Sequence, residues 1–156
     1  MKLAEALIER AALQVHLGEL RTRIRAAQYV QEGDTPPVDP PELLRDLEAS
    51  LTRHTALVKA INHTNVHTPF DDARTITDAI ADRDAAATRH RTYRDIADDM
   101  SAGTGPRQLR SEIRYVATMD ARELQRLADD AARGYRELDT KLQSLNWTTE
   151  LIEPGS

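Results

Sequence analysis

The stretch "DPPELLRDLEASLTRHTALVKAINHTN", residues 39–65, carries the clearest helix signal in the chain. Asp39 is a typical N-cap, Pro40 suits the first helical position, and Glu42 stands three residues after the cap, as a capping box requires. Positions separated by three and four residues then form a stripe: Leu44, Leu47, Leu51, His54, Val58, Ile61 and Asn65. Because side chains at this spacing share one helix face, we predict a long amphipathic helix that ends at the Thr68–Pro69 pair.

Stripes of the same kind predict one helix before this stretch and two helices after it. The first helix runs from about Lys2 to Tyr29, the third starts near Thr75, and the fourth runs from a cap at Asp120 to about Ile152. Their stripes are Leu3, Ala6, Arg10, Leu13, Leu17, Leu20, Ile24 and Ala27; Ile76, Ile80, Arg83, Ala87 and His90; and Leu124, Ala128, Ala131, Tyr135, Leu138, Leu142 and Leu145.

Four long helices joined by short connections predict an all-α protein built as an antiparallel bundle. The alternating segment "SEIRYVAT", residues 111–118, predicts one short β-strand before the last helix. A lone strand is unstable without a partner edge, and long apolar stripes favour association, so we expect a homo-oligomer. We predict one helical-bundle domain over residues 1–153, followed by a disordered tail or cloning remnant at 154–156.

The composition restricts the classes of function that the chain can have. Of its 156 residues 30% are charged, and the net charge of −5 argues against general nucleic-acid binding. The chain contains no cysteine, which excludes disulfides and thiolate chemistry. No stretch reaches the ~18 apolar residues of a membrane span, and charged residues interrupt the first turns before a signal-peptide core can form. We therefore expect a cytoplasmic protein.

Six blocks of sequence, in the same order, resemble a small family of uncharacterised bacterial proteins labelled septicolysin-like. The blocks are "MKLAEALIER" (1–10), "INHTN" (61–65), "RTITDAIADRD" (74–84), "RSEIRYV" (110–116), "YRELD" (135–139) and "NWTTEL" (146–151). The label implies a pore-forming toxin, whereas the family context implies a cytosolic helical protein. The resemblance implies no catalytic residues.

Several polar residues occupy or flank positions on the apolar stripes, where burial without a partner is costly. They could satisfy one another in a structural network between helices, because asparagine in a helical interface fixes register and oligomeric state. Alternatively, they could line a pocket for a small anionic ligand, since arginines grip carboxylates or phosphates and asparagines fix orientation. The candidate ligand-binding residues are Arg10, Asn62, Asn65, Arg74, Arg83 and His90.

A metal site is the third interpretation of these residues. His63 and His67 have the i, i+4 spacing that puts two imidazoles on one helix face. No motif for a catalytic nucleophile or a phosphate-binding loop is present, and the sequence predicts no cofactor. We therefore expect a self-associating structural or interaction protein, with a binder of a small anion or metal ion as the alternative and a pore former as the third possibility.

Overall fold

Residues 1–36, 38–102 and 116–155 are described by a computed structural model, which contains four long helices. These are α1 (Leu3–Ala26), α2 (Pro40–His67), α3 (Ile76–Ser101) and α4 (Ala121–Thr148). The predicted all-α class and the four long helices are confirmed. The chain divides into two compact units, the first formed by residues 1–75 and 144–156 and the second by residues 76–143.

The predicted β-strand at 111–118 is not supported. Residues 111–115 lie outside the described part of the chain, and residues 116–118 are not in a strand. Within the described ranges the only extended pairing is found at two isolated antiparallel bridges, Lys2–Glu150 and Pro69–Thr75. An alternating pattern is insufficient by itself because a strand also needs a neighbouring edge to hydrogen-bond with.

The starts of α2 and α4 follow the predicted positions, but only one of the two predicted caps forms its side-chain hydrogen bond. Pro40 begins α2 as predicted, yet the Asp39 side chain makes no capping hydrogen bond, and the two N–H groups of Glu42 and Leu43 are bonded to the Asp39 main-chain oxygen. At α4 the Asp120 carboxylate accepts a hydrogen bond from the Arg122 N–H at 2.9 Å, as expected of an N-cap.

In the first unit, α1 and α2 lie side by side and run in opposite directions. The Glu9 carboxylate accepts two hydrogen bonds from the Arg53 guanidinium, at 2.6 and 2.7 Å. Seven residues further along α1, His16 Nε2 lies 3.3 Å from a carboxylate oxygen of Asp46, which precedes Arg53 by seven residues. These two contacts show the register of the helix pair and its antiparallel direction.

The buried stripe of α2 agrees with the predicted one only in part: Ile61 is buried and Leu47, His54, Val58 and Asn65 are half-buried, but the most buried positions elsewhere lie one residue before the predicted ones. Leu44 and Leu51 are 51% and 40% exposed, whereas Leu43 and Leu57 are buried. The buried residues of α2 are Leu43, Ser50, Leu57, Ala60, Ile61 and Thr64. Both stripes repeat every seven residues and lie about 100° apart on the helix, so the spacing alone does not decide which of them faces α1.

The two ends of the described chain meet in the first unit. The Leu3 N–H donates to the Thr149 carbonyl oxygen, and the Leu151 N–H donates to that of Met1, both at 2.9 Å. The Ile152 N–H donates to the Thr64 hydroxyl at 2.8 Å. The segment after α4 is therefore tied both to the start of α1 and to the last turns of α2.

In the second unit, α3 and α4 form another antiparallel pair. An Arg83 guanidinium nitrogen lies 3.4 Å from an Asp139 carboxylate oxygen, and His90 Nδ1 donates to the Ala128 carbonyl oxygen at 3.0 Å. The predicted α4 stripe is confirmed, since each of its members from Leu124 to Leu142 is buried or half-buried. The prediction that residues 1–153 form a single domain stays a prediction, as does the disordered tail, whose last residue lies outside the described ranges.

Candidate functional site

The segment "INHTN" places its polar side chains in three different environments. Asn62 is exposed and Asn65 is half-buried, and neither side chain hydrogen-bonds to any residue in the described ranges. Thr64, between them, is fully buried: its hydroxyl donates to the Ala60 carbonyl oxygen at 2.8 Å and accepts from the Ile152 N–H. The important polar residue here is thus Thr64, which is absent from the residues that the sequence predicts.

One sequence signal could have identified Thr64. It stands seven residues after Leu57 and fourteen after Ser50, on the stripe that the structure buries. A buried hydroxyl at such a position lowers the stability of the fold unless it forms a hydrogen bond, because its desolvation is not compensated. The signal was missed because the neighbouring stripe, with leucines at 44 and 51, has the stronger apolar pattern.

The two histidines predicted to bind a metal ion lie against each other at the end of α2. The ring centroids of His63 and His67 are 4.1 Å apart, and His67 Nδ1 donates to the His63 carbonyl oxygen at 2.8 Å. Across residues 1–36, 38–102 and 116–155, no group of three or more His, Asp or Glu side chains is arranged to hold a metal ion. Because His67 Nδ1 is already hydrogen-bonded, the pair could contribute His67 Nε2 and one ring nitrogen of His63 to a metal ion.

Arg74 belongs to the turn that joins α2 to α3. Its guanidinium donates to Asp71 at 3.0 and 2.6 Å and lies 5.1 Å from the centre of the Phe70 ring. The other Asp71 carboxylate oxygen accepts from the main-chain N–H groups of Ala73 and Arg74. The hydrogen bonds from the Arg74 side chain, followed by those from the main chain, lower the pKa of Asp71 to about 2. Arg74 thus stabilises the turn.

Arg83 and His90 belong to the second unit, where both form contacts within the helix pair. Arg83 donates two hydrogen bonds to Asp84, at 3.0 and 2.8 Å, in addition to its contact with Asp139. His90 Nδ1 is bonded to Ala128, so its Nε2 is the ring nitrogen that remains. Both side chains behave as members of a structural network between helices.

Arg10 and His54 differ from all the other polar residues on the stripes. Both side chains are half-buried, and the Arg10 Nε and His54 Nε2 atoms are fully buried without a hydrogen-bond partner among the described residues. Arg10 follows Glu9, and His54 follows Arg53, the two residues whose contact aligns α1 with α2. The helix pair therefore brings Arg10 and His54 to the same level, although only Arg10 was a predicted ligand-binding residue.

The fold and these contacts define a class of protein: an all-α chain of antiparallel helix pairs that bury apolar residues and carry charged contacts between their helices. The chain belongs to a family of unknown function, DUF6847, which it matches over residues 10–151. It is similar to a crystal structure described as a functionally unknown conserved protein from Corynebacterium diphtheriae, with 46% sequence identity and a TM-score of 0.88. The similarity covers 97% of this chain and 99% of that chain. No curated protein matches the sequence.

These comparisons correct the predicted septicolysin-like resemblance. The family that matches is a different one, and neither it nor the crystal structure has a link to septicolysin. Of the six blocks, five lie in or beside helices, where similar apolar spacing recurs in unrelated helical proteins. The pore-forming expectation rested only on that resemblance and falls with it. Within the described residues no helix is long and apolar enough to span a membrane.

Proposed function

We propose that this chain is a self-associating helical interaction protein that pairs with a second copy through the outward face of α1. The observation that carries this proposal is the exposure of Ile8 and Val15, which are 59% and 64% exposed and stand seven residues apart. The cytoplasmic location predicted from the sequence remains part of the proposal.

The exposed residues of α1 have the geometry that helix pairing requires. Ile8, Ala11, Val15 and Gly18 are separated by three, four and three residues and are all exposed; we call them the outer stripe of α1. This is the spacing that lets one helix pack its side chains into another along a continuous line. A Cβ atom added at Gly18 would meet nothing within 4 Å, so this part of the face is open to a second helix.

A second copy is the partner that the surface chemistry favours. The polar side chains at the contact between α1 and α2 already have partners, Glu9 with Arg53 and His16 with Asp46. The outer stripe itself is apolar and contains no charge that would select an oppositely charged partner. A continuous apolar stripe on one helix is able to pair with the same stripe of another copy about a two-fold axis, which is the commonest arrangement of soluble oligomers.

The proposal is tested by sedimentation equilibrium of the wild-type protein and of two variants that add the same charge. Val15→Glu places a carboxylate on the outer stripe, whereas Gln14→Glu places it on the next, exposed position. Burying an unpaired carboxylate costs about 3 kcal/mol or more, so Val15→Glu weakens association by about 100-fold or more. Gln14→Glu leaves association within a few-fold of wild type.

Two outcomes contradict the proposal. One is a wild-type protein that sediments as a monomer across the micromolar range. The other is an oligomer that Val15→Glu and Gln14→Glu weaken to the same extent, which would show that added charge, and not the outer stripe, governs association. Far-ultraviolet circular dichroism of both variants confirms that their helices are intact.

A further inference from the structure

Arg10 and His54 present two buried nitrogen atoms that nothing in the described part of the chain satisfies. Arg10 makes no hydrogen bond and no ion pair with any residue of the described ranges, and the same is true of His54. By contrast, Arg53, Arg74, Arg83 and Arg126 each contact at least one carboxylate. Arg10 is therefore exceptional among the arginines that stand near the helix contacts.

The register of α1 and α2 places Arg10 and His54 on the same side of the pair. Glu9 and Arg53 contact each other directly, and the next residue of each helix is turned by about 100° from that contact. Because the two helices run in opposite directions, the two turns lead to the same side. The guanidinium and the imidazole thus share one level and one side of the helix pair.

The Nε–H of Arg10 is a buried donor without an acceptor within the described ranges, and such a donor is energetically unfavourable. Because the Nε atom is fully buried, water does not replace the acceptor that the described residues lack. Leu7 and Leu13, each three residues from Arg10, are half-buried leucines whose side chains supply no acceptor. An anion placed against the guanidinium would remove the cost and add charge-assisted hydrogen bonds.

We propose that Arg10 and His54 form a binding site for a small carboxylate. The Arg10 guanidinium supplies the charge and hydrogen-bond donors on one side of the bound carboxylate. On the other side of the carboxylate, His54 Nε2 donates a hydrogen bond in the tautomer that carries its proton at Nε2. One full positive charge matches a monoanion better than a phosphate dianion. The half-buried leucines beside Arg10 favour a carboxylate that carries a short apolar chain. This site goes beyond the proposed self-association and does not depend on it.

The site is tested with butyrate as the probe, replacing chloride at constant ionic strength. The Arg10 Nε–Hε and His54 ring signals are followed by nuclear magnetic resonance while butyrate is added at millimolar concentrations. We expect the Arg10 and His54 signals both to shift, and to reach saturation over the same range of butyrate concentration. At ten times the dissociation constant, the midpoint of thermal unfolding rises by about 3–6 °C, because a ligand that binds only the folded state stabilises it.

Substitutions separate this site from general salt effects. Arg10→Leu abolishes the butyrate response and raises the unfolding midpoint in butyrate-free buffer, since it removes an unpaired charge from a half-buried position. Arg10→Lys keeps a weaker response. Arg21→Leu removes an exposed arginine from the same helix and retains the full response.

Three results overturn the proposal. The first is the absence of any saturable shift of the Arg10 and His54 signals in the millimolar range. The second is a tighter response to inorganic phosphate than to butyrate, which would assign the site to another anion. The third is an Arg10→Leu variant that keeps the full butyrate response of its remaining signals, which would place the binding elsewhere on the protein.

Discussion

Thr64 joins two parts of the first unit that are far apart in sequence. Its hydroxyl is the acceptor for the Ile152 N–H and also donates to the Ala60 carbonyl oxygen, each at 2.8 Å. A helix-interior threonine commonly bonds to the carbonyl four residues earlier, so the bond to Ala60 alone would be unremarkable. The bond from Ile152 makes the hydroxyl specific to this position.

At the residue scale, Thr64→Val tests this role. Valine keeps the shape and the burial but leaves the Ile152 N–H without its acceptor, which costs about 1–3 kcal/mol in the free energy of unfolding. Thr64→Ser keeps the hydroxyl, so its free energy of unfolding falls by less than that of the valine variant. Urea denaturation measures the free energy of unfolding of the wild type and of both Thr64 variants. The matched control is Thr55→Val, at an exposed position of α2. Equal losses for Thr64→Val and Thr55→Val would refute the assignment.

The polar residues of the stripes show how far sequence reasoning reaches at this scale. That Arg10 and His54 interrupt apolar stripes is visible in the sequence, and so is the cost of burying them. Which of them find partners is not visible, because a partner depends on the register between helices. Glu9 bonds to Arg53 and not to the adjacent Arg10, and only the three-dimensional arrangement decides between these two.

At the scale of the element, α2 carries two leucine stripes side by side. Leu43, Ser50 and Leu57 face inward, whereas Leu44 and Leu51 are largely exposed. The predicted boundaries of α2 agree with the structure, because caps and breakers are local signals. The choice of stripe is made by the contacts with α1 and by the segment after α4, which a pattern within α2 cannot include.

Two alanine variants test which stripe of α2 is the core. Leu57 is 1% exposed, so Leu57→Ala creates a cavity and lowers the free energy of unfolding by about 2–5 kcal/mol. Leu44→Ala removes a half-exposed side chain and changes the stability of the monomer by about 0.5 kcal/mol or less. Chemical denaturation at low protein concentration provides the comparison. If the two variants lost the same stability, the assignment of the buried stripe would be incorrect.

At the scale of the whole molecule, the segment after α4 closes the first unit. Residues 149–152 bond to the start of α1 through Leu3 and Met1, and to the end of α2 through Thr64. The three blocks "MKLAEALIER", "INHTN" and "NWTTEL" therefore lie near one another, although 80 residues of chain lie between the second and the third.

Deleting residues 149–156 tests the closure. The deletion removes three hydrogen bonds of about 1 kcal/mol each, so the free energy of unfolding falls by about 2–4 kcal/mol. Deleting only residues 154–156 keeps all three and leaves stability close to wild type. Thermal and urea unfolding of both truncated proteins provide the measurement. A stable protein after the longer deletion would mean that the segment contributes little to the fold.

The sequence by itself determined the helical class, the number of long helices and their approximate ends, because spacing, caps and prolines act over a few residues. It also identified Arg10 as a polar residue on an apolar stripe. Only the tertiary structure decided which stripe of α2 is buried, which arginines are paired, and that Thr64 holds Ile152. The Glu9–Arg53 and Thr64–Ile152 contacts join residues 44 and 88 positions apart, and no local pattern specifies which of two distant side chains will lie beside each other.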